Sequence, residues 1–177
     1  MSELAAQLSK WLCHDLATPA ATVLTASELL GAEADAEVNG LVQGGAARLV
    51  ARLRLIRAAF APGGGPMAQA ALEKLVRAGL DGTPVNWQRP GDASGPEAAL
   101  VAAAALLLSD LARGSPLTIT ANGVRWDSPR TLPDTAAAAL AGAEPADGRA
   151  AVAAMVAGAA TRAGLTATAT ANGIDWR

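Results

Sequence analysis

The segment Ala61-Pro62-Gly63-Gly64-Gly65-Pro66 constrains this chain more than any other, because consecutive glycines flanked by prolines cannot continue a helix. It divides the sequence into residues 1–61, a linker at 62–66 that reads as a hinge, and residues 67–177. A glycine tract can also cradle phosphate, but nothing like the full G-x-x-x-x-G-K-S/T pattern is present.

Before the break, the periodicity predicts two long helices. The first starts near Ser2, a usable N-cap, and runs to Leu30, with Gly31 as its stop. The acidic stretch Glu33 to Glu37 then makes a turn whose carboxylates suit the start of a second helix, Ala36 to Phe60. Val38, Leu41, Val42, Leu49, Leu53, Ile56 and Phe60 are its apolar residues. Helices of about 25–30 residues with a short connection give an antiparallel hairpin roughly 40 Å long. Two helices alone cannot bury wide apolar stripes. A second copy completing a four-helix bundle is the expected solution, and packing against the rest of the same chain is the alternative.

The first helix carries His14, the single histidine of 177 residues. At about 100° per residue, Leu4, Leu8, Leu12, Leu16, Pro19, Val23, Ala26 and Leu30 fall in one stripe about 120° wide. His14 lies roughly 150° from the middle of that stripe. It shares its strip with Lys10, Ala17, Thr18, Ala21 and Thr25, so the ring faces water or a partner across small neighbours. Pro19 lacks an N–H and frees the carbonyl of Asp15, which predicts a kink or loosening one turn after the histidine.

Composition narrows the chemistry. The chain is 51% hydrophobic but 3% aromatic, and much of the apolar content is alanine, which favours helices packed closely. A net charge of −2, from 14 basic and 16 acidic residues, gives no reason to expect a nucleic-acid or membrane surface. One cysteine excludes an internal disulfide and suits a reducing compartment. Cys13 and His14 point about 100° apart on a helix, which disfavours a cysteine nucleophile with a histidine base. One histidine and one cysteine also supply too few ligands at usable spacing for a metal site. No basic segment followed by an apolar one marks a signal peptide. The apolar run from Glu97 to Ser109, about a dozen residues, is too short to cross a bilayer. A soluble, cytoplasmic protein is expected.

Beyond the linker, helix and strand signals alternate. A helix over Gln69 to Ala78 ends at Gly79, and Pro84 to Arg89 reads as a short strand. Pro96 suits the first turn of a helix reaching Ala112, whose nearly all-round hydrophobicity predicts burial. Pro116 to Thr120 and Val124 to Asp127 form a hairpin around Ala121-Asn122-Gly123. Helices follow near Asp134 to Ala141 and Asp147 to Ala163. A second hairpin, Leu165 to Thr170 and Ile174 to Trp176, turns at Ala171-Asn172-Gly173. N-G-V-R-W is thus echoed by N-G-I-D-W, read as similar hairpin chemistry. The fold class is α+β, with a mostly antiparallel sheet covered on one face by helices.

His14-Asp15-Leu16-Ala17-Thr18-Pro19 is similar to the H-E/D-x-x-T/S/N-P box of histidine-kinase dimerisation and phosphotransfer domains. A kinase of that family would follow the box with an α+β (Bergerat-type) ATPase domain bearing an Asn on a helix, D-x-G-x-G and a glycine-rich lid. Here the buried helix ends Leu106-Leu107-Leu108-Ser109-Asp110-Leu111, and Asp127-Ser128-Pro129-Arg130 stands where D-x-G-x-G is expected. The order of elements with these motifs missing resembles ChpT-type histidine phosphotransferases, as does the R-L-x-x-x-R-x-A-F segment at Arg52 to Phe60. The resemblance covers nearly the whole chain. It implies a homodimer with a degenerate ATPase-like C-terminal domain and no cofactor of its own. It further implies phosphoryl transfer from the receiver domain of a hybrid histidine kinase to response regulators, with Mg2+ on the partner's receiver domain.

On that reading His14 is the phosphoacceptor. Asp15 orients the ring or takes its proton, Thr18 touches the phosphoryl group, and Lys10 neutralises charge. Arg48 and Arg52 share a face and are candidates to clamp phosphate or an acidic partner; they, Arg54 and Arg57 otherwise form a solvated helix surface. Two alternatives stay open: an ATP-dependent histidine kinase, and a dimeric adaptor that docks regulators without phosphorylation.

Overall fold

A computed structural model describes residues 2–28, 36–61 and 63–177. The expected stop at Leu30 and Gly31, most of the acidic turn and Pro62 lie outside the described residues.

The elements are α1 (Glu3–Glu28), α2 (Ala36–Phe60), α3 (Gln69–Gly79), β1 (Val85–Trp87) and α4 (Gly95–Leu111). They continue with β2 (Leu117–Thr120), β3 (Gly123–Trp126), α5 (Asp134–Leu140), α6 (Gly148–Arg162), β4 (Ala167–Thr170) and β5 (Gly173–Trp176). Apart from the end of α1, which lies outside the described residues, each matches a sequence expectation to within about two residues, the scatter normal for element ends. None of the described helices is long and apolar enough to cross a membrane.

α1 and α2 run antiparallel. Trp11 meets Phe60 edge to face at 6.0 Å, Asp15 meets Arg52, and a Cβ on Gly45 would lie 3.1 Å from Val23 Cγ2. α1 continues through Pro19 to Glu28.

α4 is the centre of the molecule. Its N-terminus is set by a reciprocal capping box that Pro96 alone did not announce: Ser94 N–H donates to Glu97 Oε2 at 2.8 Å, and Glu97 N–H donates to Ser94 Oγ at 3.4 Å. Every residue from Ala98 to Ser109 is buried, because α4 has the sheet on one side and the hairpin and α6 on the others.

The sheet order is β1-β2-β3-β5-β4, with β1 parallel to β2 and every other pair antiparallel. Leu117, Ile119, Val124, Trp126, Ile174 and Trp176 point into the core at period two, under the helices. The two N-G-x-x-W segments do more than repeat a turn. β3 pairs with β5 with Val124 opposite Ile174. Trp126 N–H donates to Asn172 O and Trp176 N–H to Asn122 O, each at 2.8 Å. Arg125 Nε donates to Asp175 Oδ1 at 2.8 Å across the same pair. The echo is therefore a contact about a local two-fold, and Gly173 is needed because a Cβ there would strike the Val124 carbonyl oxygen.

Two expectations change. The hairpin does not wait wholly for a second copy, because Trp11, Leu55, Ile56 and Ala59 join one continuous core with Leu72, Val76, Leu106 and Ala160. Nor do residues 63–66 of the linker form a free hinge. The Gly64 carbonyl oxygen sits where a Cβ of Gly95 would be, and Met67 and Ala93 then exchange backbone hydrogen bonds of 2.8 and 2.9 Å. Glycines end the helix as expected, but they also permit close backbone approach, which stitches the segment to the start of α4.

Candidate functional site

The helical arithmetic places His14 outward, and the structure agrees. His14 is exposed, and it makes no hydrogen bond or ion pair among the described residues. Lys10, Ala17, Thr18, Ala21 and Thr25 are exposed beside it. Cys13 is exposed too.

Asp15 behaves differently from its neighbour. One residue further on, the helix turns it toward α2, where its side chain is 6% exposed. Arg52 Nε donates to Asp15 Oδ2 at 2.8 Å and Arg52 Nη2 to Asp15 Oδ1 at 2.7 Å, a fork-to-carboxylate pair. Arg52 Nη1 also donates to the carbonyl of Gly79 at 3.2 Å, one of the last carbonyls of α3. The expected hydrogen bond between Asp15 and the His14 ring is not the one formed, because adjacent helix positions diverge and both carboxylate oxygens are taken by the guanidinium.

A cleft of about 330 Å³ opens next to this pair, between the hairpin and the second unit. α1 contributes Thr18, Pro19 and Thr22, and α2 contributes Gly45, Arg48 and Arg52. The far wall is Asp81 and Thr83 after α3, with Ser109, Asp110 and Arg113 at the end of α4. Thr83 and Ser109 are buried and their hydroxyls lie 3.0 Å apart. Arg48 reaches Asp81 at 3.7 Å with both side chains more than 60% exposed, a geometry worth little in water. Thr22 donates its hydroxyl to the Thr18 carbonyl at 3.0 Å, one turn beyond the place where Pro19 leaves the Asp15 carbonyl without its helical donor.

The arginines thus divide. Arg48 and Arg52 line the cleft, as their spacing suggested, whereas Arg54 and Arg57 are exposed and do not line it. Among the described residues, no group of three His, Cys, Asp or Glu side chains is placed to hold a metal.

Sequence reasoning missed Trp11. It is 6% exposed, and its indole donates to Asp110 Oδ2 at 3.4 Å. Asp110 Oδ2 also accepts from Arg149 Nε at 3.0 Å, so α1, α4 and α6 meet at one carboxylate. The available signal was an i, i+4 relation: Trp11 and Asp15 stack on the same side of α1, at the edge of the leucine stripe.

No family model matches this chain, and no curated protein matches it. Among solved structures, one described as a 1.7 Å structure of a bacterial phosphotransferase superposes with a TM-score of 0.71. The superposition covers 99% of this chain and 96% of the other, at 23% identity. At that identity the likeness is one of fold: from hairpin to last strand, the chain shares the architecture of a protein described as a bacterial phosphotransferase.

Proposed function

We propose that this protein is a histidine phosphotransferase of the ChpT type. In this reading it accepts a phosphoryl group on His14 from the receiver domain of a hybrid histidine kinase and passes it to response-regulator aspartates. The observation that carries the reading is the exposed, unpartnered His14 within its H-D-L-A-T-P box. The fold shared over the full chain with a protein described as a phosphotransferase supports it.

In the transfer, a ring nitrogen lone pair attacks the phosphorus of an aspartyl phosphate in line. The P–N bond forms as the P–O bond to the carboxylate breaks, and the freed carboxylate stays on the receiver. The reverse step hands the phosphoryl group to a second receiver. The attacking ring nitrogen must carry a free lone pair, so the reactive ring is the neutral imidazole. Mg2+ belongs to the receiver, where it offsets charge on the phosphoryl oxygens. Thr18 and Lys10 are exposed one turn on either side of His14, which supports assigning them as secondary contacts to those oxygens.

The proposal includes a homodimer. Val50 and Leu53, one turn apart on α2, are 45% and 43% exposed, on a side of the hairpin the second unit leaves open. A second hairpin laid on that side completes a four-helix bundle. The second unit is proposed to be a kinase ATPase-like domain without a nucleotide site, because no D-x-G-x-G or glycine-rich lid occurs in its sequence.

The test is to mix the protein with a receiver domain charged by acetyl phosphate and Mg2+. Acid-labile label should pass to the wild type and not to His14→Ala. Label on His14→Ala would overturn the proposal. Labelling by ATP alone would favour a kinase, and signalling preserved in His14→Gln would favour the adaptor.

A further inference from the structure

Asp15 sits in the box where a proton acceptor for the histidine is expected, yet it is more than nine-tenths buried and both its oxygens are held by Arg52. The pair joins α1 to α2, and the remaining arm of Arg52 reaches Gly79 in the second unit. We propose that Arg52 is a positioning residue for His14. This rests on the reading of His14 as phosphoacceptor. The Asp15–Arg52–Gly79 bridge sets the roll of α1 about its axis, and so where the imidazole stands relative to the rest of the molecule.

The physical case lies in what each grip on α1 can fix. One turn before His14, Trp11 is held by packing on Phe60 and by a long 3.4 Å hydrogen bond to Asp110. Apolar packing resists separation of helices but is only weakly directional. A guanidinium fork on a carboxylate is planar and two-point, and resists rotation as well. The bridge grips the residue next to His14, so its error passes to the ring with almost no lever of backbone between. The ring stands roughly 6 Å from the helix axis, so a roll of about 20° carries it about 2 Å. Loss of about 1 Å of alignment costs on the order of 10²-fold in a transfer that needs in-line attack. Arg52 is itself fixed, because Gly79 packs on Leu55 so closely that a Cβ would overlap it, which brings the α3 carbonyl within reach of the guanidinium.

The role separates from simple scaffolding by the choice of donor. A docked receiver holds its phosphorus at one place, whereas phosphoramidate, a small donor, reaches an exposed imidazole from any side. In Arg52→Gln, single-turnover transfer from the charged receiver at saturation should fall about 10²-fold, and in Arg52→Lys, which keeps the charge but not the fork, about tenfold. Receiver affinity and labelling by phosphoramidate should match the wild type in both. Arg52→Lys decides the matter if Arg52→Gln does not fold. A wild-type saturated rate in the folded variant, a loss confined to receiver affinity, or an equal loss with both donors would overturn the proposal. Label on His14→Ala would instead overturn the underlying phosphoacceptor reading.

Discussion

The two sides of the α1–α2 hairpin are made from similar residues and meet different fates. On one side Trp11, Leu55, Ile56 and Ala59 are sealed against α3, α4 and α6. On the other, Val50 and Leu53 stand open. Helical periodicity identifies apolar stripes but not what covers them. Over Trp11, Leu55, Ile56 and Ala59 the chain supplies the cover itself. His14 is exposed on α1.

Substitutions on each side should break or sharpen that contrast. Leu55→Ala, at a residue with no exposed surface, should cost about 2–5 kcal/mol of unfolding free energy in urea titrations. A cost below about 1 kcal/mol would show that the sealed side is only loosely packed. Gly148→Ala places a Cβ 2.9 Å from that of Trp11 at the α1–α6 contact. It should destabilise by about 1–3 kcal/mol in the same assay, because neither helix can yield without disturbing α4.

The wall behind the sealed side also predicts a pH effect. Asp147 caps α6, and its carboxyl is held below the usual carboxylate value first by the Ala150 N–H; burial opposes this as the next largest effect, and the Thr135 hydroxyl and Arg149 lower it further. A depressed folded value means that the stabilisation is present above the ordinary value near 4 and is lost as pH falls through the folded one. Asp147→Asn keeps a capping oxygen and loses the charge. Its melting temperature should therefore fall less on acidification than the wild type's, with a difference at neutral pH of about 1 kcal/mol or less. Parallel acid profiles for the two proteins would contradict this.

The smallest effect on the fold belongs to the open side. Val50→Asp combined with Leu53→Asp should leave monomer stability within about 0.5 kcal/mol per site, because both residues already face solvent. If a second copy covers that side, light scattering at micromolar concentration should show the mass halved relative to wild type. An unchanged mass in the double variant would remove the open side from the proposed dimer.

Much of this molecule is legible without coordinates. The apolar run from Ala98 to Leu108 and the two Asn-Gly turns rest on local chemistry, and the elements they predict are present. The outward His14 follows from its phase relative to a leucine stripe, which the same helix carries wherever it packs. The partners were not legible, because they are distant in sequence. Asp15 finds Arg52 37 residues away, and Trp11 finds Asp110 99 residues away. Nothing in the local pattern distinguishes a carboxylate that serves its neighbour from one that bridges two helices. The sequence determined which residues could face outward on α1; only the tertiary structure, by bringing α2 and the end of α3 against Asp15, decided that the acidic residue of the box holds the helix in place.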